Sequence, residues 1–253
     1  MKDGVVIITG ASKGIGAAVA KKLAAEGFES LLIARDQTNL EALSAEIREL
    51  GGRAHCYPCD VSNIEFLSGT ISKIKEAHRT PIAIINNVGI GGPYKKITEL
   101  TLAEWNELFN VNLTSAFVLC SSLLTEMAEM GGGKIINISS IFGLFGGSGS
   151  VAYSTFKHGL IGFSKSIAAE WGDRNIQANV ICPGYINTDM NAQSPIHMAS
   201  NLRRIPEGRL GLPSEVANLV AFLMSSESSY VNGSVLPIDG GFTAQIVLNS
   251  PHL

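Results

Sequence analysis

Seven short β-rich runs recur along the chain, separated by longer stretches of helical composition. "VVIIT" (5–9), "SLLIA" (30–34), "AHCYP" (54–58), "IAIIN" (82–86), "KIINIS" (134–139), "QANVIC" (177–182) and "SVLPI" (234–238) read as strands. Several are apolar at consecutive positions instead of alternating, as a strand buried on both faces requires. Stretches rich in Ala, Leu, Glu and Lys at 15–26 and 38–50, with others near 63–77, 103–130, 151–172 and 213–226, read as helices. Repeated strand–helix–strand units cross over with one hand, so the expected class is α/β: a doubly wound parallel sheet of about seven strands flanked by helices.

At 253 residues and 45% hydrophobic, the chain can bury one large core. No Pro- or Ser-rich linker and no internal repeat divides it, so residues 1–253 are expected to form a single domain. The least regular stretch, 187–212, contains Pro195 and Pro206 and follows a strand's carboxyl end. Such folds place substrate-covering loops there, so it is expected to act as a lid. A net charge of −3 argues against nucleic acid or an anionic membrane as a partner. No apolar run is expected to reach the ~20 residues that span a bilayer, and "MKDGVVIITG" enters the first strand without a leader's apolar region. A cytoplasmic protein is expected.

Four cysteines, Cys56, Cys59, Cys120 and Cys182, are expected to be structural. "CYPC" lacks the second ligand pair of a zinc site, and Cys59 does not open a helix as a redox pair does, so no metal is expected.

"TGASKGIG" (9–16) lies between the first strand and the first helix. Its glycines permit a tight turn and let the backbone approach a pyrophosphate, which then meets the helix's free N–H groups. That is the phosphate site of a Rossmann fold, with Gly10, Ser12, Lys13, Gly14, Ile15 and Gly16 in its turn. The second strand ends "LLIARD". An NAD site usually has an acid there for the ribose 2′-hydroxyl, whereas NADP needs a cation for its 2′-phosphate. Ala34 occupies the acid's place, Arg35 follows, and Lys13 can reach the same phosphate, which together favour NADP(H). Asp36 reads as the cap of the next helix.

"AYSTFK" (152–157) puts Tyr153 one helical turn ahead of Lys157. With "NNVG" (86–89), "CDVS" (59–62), "FNVNLTS" (109–115), "NISS" (137–140) and "PGYINTDM" (183–190), the chain resembles the short-chain dehydrogenase/reductase family along nearly its whole length. The resemblance implies hydride transfer between a nicotinamide and a ketone or secondary alcohol. It assigns catalysis to Asn112, Ser140, Tyr153 and Lys157, with Ser140 thirteen positions before Tyr153 as the family pattern asks. It places Asp60 and Val61 at the adenine, and Asn87, Val88 and Gly89 along the cofactor. Pro183, Gly184, Ile186 and Thr188 surround the nicotinamide, whose ribose Tyr153 and Lys157 also meet. Lys157 should favour the phenolate and lower the tyrosine pKa from about 10. Ser140 should stabilise charge on the substrate oxygen, and Asn112 should hold a water linking Lys157 to solvent. Ser139 and His158 receive no catalytic role, and His55 and His78 read as strand and solvated surface residues.

The order of "PGYINTDM" and "RLGLPSEVANLVAFLMSSESSYVNGSVLPIDGG" is most similar to 3-oxoacyl thioester reductases. That implies a 3-oxoacyl group on acyl carrier protein or coenzyme A as substrate. Other carbonyl substrates (a steroid, sugar, polyol or secondary-metabolite ketone) form the alternative, and a non-catalytic NADP sensor is a third reading. Arg174 matches a basic position that meets the acidic carrier, and Arg203 and Arg204 could meet phosphates. Where such reductases often carry another basic residue, this chain has "MGGGK" (130–134). The resemblance also implies a homotetramer or homodimer built on the helices at 103–130 and 151–172.

Overall fold

The computed structural model describes residues 4–189 and 202–245. Seven strands form one sheet: β1 (Val5–Thr9), β2 (Glu29–Ala34), β3 (Arg53–Pro58), β4 (Ala83–Asn86), β5 (Gly133–Ile138), β6 (Ile176–Pro183) and β7 (Val235–Ile238). Their spatial order is β3-β2-β1-β4-β5-β6-β7, and every neighbouring pair is parallel. The helices are α1 (Gly14–Ala25), α2 (Gln37–Glu49), α3 (Ile64–Ala77), α4 (Leu102–Phe109), α5 (Ser115–Glu129), α6 (Val151–Trp171) and α7 (Pro213–Met224). This is the doubly wound Rossmann-type class the strand pattern implied.

The unbroken apolar strands have a simple cause. Val6, Ile8, Leu32 and Ile85 point to one face and pack with Leu23 of α1, Leu40 of α2 and Val216 and Val220 of α7. Val5, Ile7, Leu31 and Ile84 point to the other and meet Leu67 and Ile71 of α3 and Leu119 and Leu123 of α5. Each such side chain taken out of water contributes about 1.5–3 kcal/mol. Strand order reverses between β1 and β4, so their carboxyl ends diverge and leave a crevice.

The helix expected at 103–130 is interrupted. Asn110–Thr114 forms a π-helical turn between α4 and α5, and such turns re-aim side chains within an otherwise regular helix. Taken together, α4, the π-helical turn and α5 (Leu102–Glu129) also correct the expectation about apolar length. The run has 28 residues and a window of mean hydropathy 1.5, long and apolar enough to cross a membrane by length and composition. Half of that window is buried inside the protein, against the sheet and α3, which is the position of a core helix.

Of the expected lid, residues 190–201 lie outside the described residues, as does the C-terminal 246–253. All four cysteines are free thiols, three of them buried, with Cys56 Sγ turned to the carbonyl of Leu40. His78 is not a solvated residue. It caps α3 with only 10% of its side chain exposed.

Candidate active site

A cavity of about 1080 Å³ opens along the carboxyl ends of the strands. One wall is the glycine turn. Gly10 and Gly14 have φ of +63° and +57°, values that side chains rarely tolerate. A Cβ on Gly16 would fall 2.2 Å from the Gly10 oxygen and 2.6 Å from Asn87 Nδ2, so the turn can close only with glycine there. Asn87 Nδ2 donates to the carbonyls of Thr9 and Gly10 at 3.0 and 3.1 Å. Thr9 Oγ1 accepts from the amides of Asn87 and Val88. The ends of β1 and β4 are thereby clamped together. Lys13, at the N-cap of α1, makes no side-chain cap bond, so the first amides of α1 keep their hydrogen-bonding capacity at the cavity's edge. A turn whose Gly10 and Gly16 leave no room for a Cβ, beside a helix N-terminus, fits the diphosphate of a dinucleotide.

At the far end of the cavity Asp36 accepts from Asn39 and caps α2, as expected, and it lines the cleft together with Arg35, the cation at the end of β2. Arg35 Nη1 stands 3.9 Å from Asp60 Oδ2. Asp60 Oδ1 accepts from the amide and hydroxyl of Ser62. Burial pushes the Asp60 carboxyl up, but the Ser62 bonds and the Arg35 charge outweigh it, so its pKa is held below the ordinary value. Lys13 departs from expectation: its Nζ forms an ion pair with Asp189 Oδ2 at 3.0 Å across the cavity mouth. Both partners are well exposed, so the pair is weak. Nothing in the sequence pattern singled out Asp189.

At the opposite end stand Ser140, Tyr153 and Lys157, which the family resemblance assigned to hydride transfer. Ser140 lies just past β5, its Oγ accepting from the Phe142 amide at 3.1 Å. Tyr153 sits in the first turn of α6 and Lys157 one turn on. Lys157 is buried, and its Nζ donates to the Ile138 carbonyl at 3.0 Å, 5.6 Å from the centre of the Tyr153 ring. Burial pushes the ammonium pKa down to about 8, with the Cys182 thiol opposing the shift. Burial also pushes the Tyr153 phenol up, and a hydrogen bond with Ser140 only partly counters it. The direction for the phenol thus differs from the expected lowering: burial raises it, and Lys157 Nζ is directed to a backbone carbonyl beside the ring.

Asn112 is buried in the π-helical turn and does not line the cavity. Its Oδ1 accepts from the Ile90 amide at 3.2 Å, while Nδ2 donates to the carbonyls of Ile90 and Leu108. Gly89 separates it from the lysine: a Cβ there would lie 3.0 Å from Asn112 Oδ1 and 3.1 Å from Lys157 Nζ. Ser139 Oγ donates to the Lys157 carbonyl at 2.8 Å and so anchors α6 to β5. His158 turns its Nδ1 to the Ser154 carbonyl on the outer side of α6.

The end of β6 at Pro183 and the loop after it, with Gly184, Ile186 and Thr188, close the cavity. The Gly184 amide donates to Ile238, and the Thr188 methyl comes to 3.3 Å from where a Gly14 Cβ would stand. Of the residues expected to bind cofactor or take part in catalysis, Gly16 and Asn112 stand behind the wall and the others line it, while Arg174, Arg203 and Arg204 lie outside the cavity. Tyr94, Phe142 and Tyr185 also line the cavity and were not anticipated, because aromatic residues scattered through loops carry no periodic signal.

Comparison with known proteins agrees with this architecture. A family model described as enoyl-(acyl carrier protein) reductase matches residues 10–243. The 3-oxoacyl-[acyl-carrier-protein] reductase FabG of Aquifex aeolicus is 37% identical over 94% of this chain and 96% of its own. That of Escherichia coli K12 is 37% identical over the same shares. Among solved structures, a 3-oxoacyl-[acyl-carrier protein] reductase from Brucella melitensis superposes with a TM-score of 0.89 at 34% identity, covering 95% of this chain and 91% of its own. A protein described as an NAD(P)-dependent gluconate 5-dehydrogenase from Beutenbergia cavernae, with NADP bound, gives 0.92 at 32%, covering 97% and 98%. By sequence, fold and the order of its site residues, the chain belongs to the short-chain dehydrogenase/reductase family.

Proposed function

We propose that the protein is an NADPH-dependent ketone reductase whose substrate is a 3-oxoacyl thioester. The observation that carries this reading is the convergence of Ser140, Tyr153 and Lys157 at one end of a cavity whose other wall is the glycine turn. When bound, NADP(H) supplies the hydride that adds to the carbonyl carbon. The turn from Gly10 to Gly16, with Ser12 and Ile15, would hold its diphosphate, Arg35 its 2′-phosphate, and Asp60 and Val61 its adenine. Asn87, Val88, Gly89, Pro183, Gly184, Ile186 and Thr188 would hold the remainder.

A phenol is protonated at neutral pH, and burial disfavours the Tyr153 phenolate further, which suits a donor to the alkoxide forming at the substrate oxygen. Ser140 offers that oxygen a hydrogen bond. Lys157, charged below about pH 8, holds positive charge beside the phenol as it loses its proton. Asn112 is a positioning residue that fixes the Ile90 backbone and backs Gly89, with a water-held proton relay as its further proposed role.

The thioester assignment is supported by full-length relatives named 3-oxoacyl-[acyl-carrier-protein] reductases. Arg174 is exposed after α6, while Lys134 of "MGGGK" is buried and so withdrawn from any carrier surface. Arg204 lies over the Phe242 ring with its charge exposed. Exposed Phe109 and Phe117 on α4 and α5 support assembly through these helices, as a homotetramer or homodimer. We place the enzyme in the cytoplasm, acting as one domain with 187–212 as its lid.

The test is turnover of acetoacetyl thioesters with NADPH by the purified chain and by Tyr153→Phe. The wild type should oxidise NADPH, and the variant should lose about three decades of rate while binding NADPH as before. Comparable turnover in Tyr153→Phe would remove the tyrosine as donor. A second reading, reduction of a small non-thioester carbonyl, is favoured by the high similarity to the gluconate dehydrogenase and to a levodione reductase (TM-score 0.92, 33% identity). Turnover of such ketones with none of thioesters would select it.

A further inference from the structure

At the opposite end of the sheet from the cavity, three ligand-type side chains meet at one carboxylate oxygen. Glu29 opens β2, His55 lies in the neighbouring edge strand β3, and His78 is the C-cap of α3. His78 Nδ1 and His55 Nε2 each stand 3.2 Å from Glu29 Oε1. One ligand atom from each residue lies within 4.8 Å of the others. Ligand atoms about 2.0–2.1 Å from a tetrahedral zinc lie about 3.3 Å apart, so both nitrogen–oxygen edges already have the required length.

The surroundings are ordered as around a metal centre. The phenolic oxygen of Tyr57 is 2.7 Å from His78 Nε2, so the ring nitrogen that would not bind metal has an outer hydrogen-bond partner, which orients the ring. Arg53 Nε stands 3.6 Å from Glu29 Oε2, the other carboxylate oxygen, leaving Oε1 to the imidazoles. Glu29 and His78 are largely buried while His55 is half exposed, so one ligand can swing to close the remaining edge.

We propose that Glu29, His55 and His78 form a zinc-type divalent metal site, with water in the fourth position. The bound ion would cross-link the start of β2, the edge strand β3 and the end of α3. Five residues of β2, about 16 Å, separate it from the cavity, so it is a structural or regulatory site and not part of the reducing chemistry. The guanidinium of Arg53, and that of Arg48 acting on His55, reduce the pull on a dication. Micromolar affinity is therefore expected, not the tighter binding of an all-cysteine site.

The experiment strips the full chain with a chelator, desalts it, and titrates it with zinc by calorimetry and with cobalt(II) by visible absorption. One equivalent should bind, and cobalt should give the intense visible bands of a tetrahedral nitrogen–oxygen site. His55→Gln and Glu29→Gln should each weaken binding at least tenfold, with NADPH binding retained as evidence that the variants fold. His55 is half exposed, so its substitution is expected to leave the fold intact. Absence of saturable binding would overturn the proposal. So would binding unchanged in His55→Gln, or a sulfur-to-cobalt charge-transfer band, which would place the ion on cysteine instead.

Discussion

Lys157 Nζ donates to the carbonyl of Ile138 at 3.0 Å, fastening α6 to the end of β5 with a buried ammonium. The folded chain loses that proton near pH 8, whereas an unfolded lysine keeps it to about 10.5. Between those values the unfolded chain binds more protons, so this group's destabilising burial is relieved as pH rises. Relative to Lys157→Met, the urea midpoint of the cofactor-free chain should climb from pH 8 to 10. Ketone reduction should decline over the same interval as the ammonium neutralises. A midpoint difference that stays flat with pH would show that Lys157 titrates normally.

Gly89 has Asn112 Oδ1 and Lys157 Nζ pressed against the place where a Cβ would be. Gly89→Ala must displace one of them by a few tenths of an ångström, and the asparagine is tied to Ile90 by two bonds. The lysine is therefore expected to move. Turnover should fall about ten- to a hundredfold with a small change in thermal midpoint, since slight misplacement at a reacting centre is costly. Wild-type kcat in this variant would mean the lysine position is not critical.

Ser139 and Ser140 are adjacent but do different work. Ser139 holds the Lys157 carbonyl, so Ser139→Ala should cost about 1 kcal/mol of stability and leave much of the turnover. Ser140→Ala should cost a comparable amount of stability through its lost bond to the Phe142 amide and, in contrast, lose about two decades of kcat. Chemical denaturation and steady-state rates on both variants check the pair, and a larger loss of kcat in Ser139→Ala than in Ser140→Ala would reverse the assignment.

Arg35 is the cation at the end of β2, with Asp36 committed to capping α2. Arg35→Asp should raise the KM for NADPH at least tenfold and lower that for NADH, with kcat little changed. Asp189→Ala should free Lys13 and strengthen NADPH binding modestly. Unaltered coenzyme preference in Arg35→Asp would refute the assignment of the 2′-phosphate.

The strand and helix series, the glycine turn and the Ser–Tyr–Lys spacing were legible in the sequence because each is local. Apolar runs without alternation can be satisfied only between two helical layers, and glycine spacing reports a turn that no Cβ can enter. The side-chain electrostatics were not legible. Whether Lys157 lowers the Tyr153 pKa depends on where its nitrogen is tethered, and that tether is an Ile138 carbonyl nineteen positions away. The Lys13–Asp189 pair joins residues 176 positions apart, and His78 meets Glu29 across 49. The π-helical turn that aims Asn112 at Ile90 interrupts what composition reads as one continuous helix. Local chemistry in the sequence thus determined the fold class and the candidate reacting groups. Tertiary packing alone decided which charges are buried, which are paired, and that two histidines converge on one carboxylate, because desolvation and ion pairing depend on neighbours brought together only by folding.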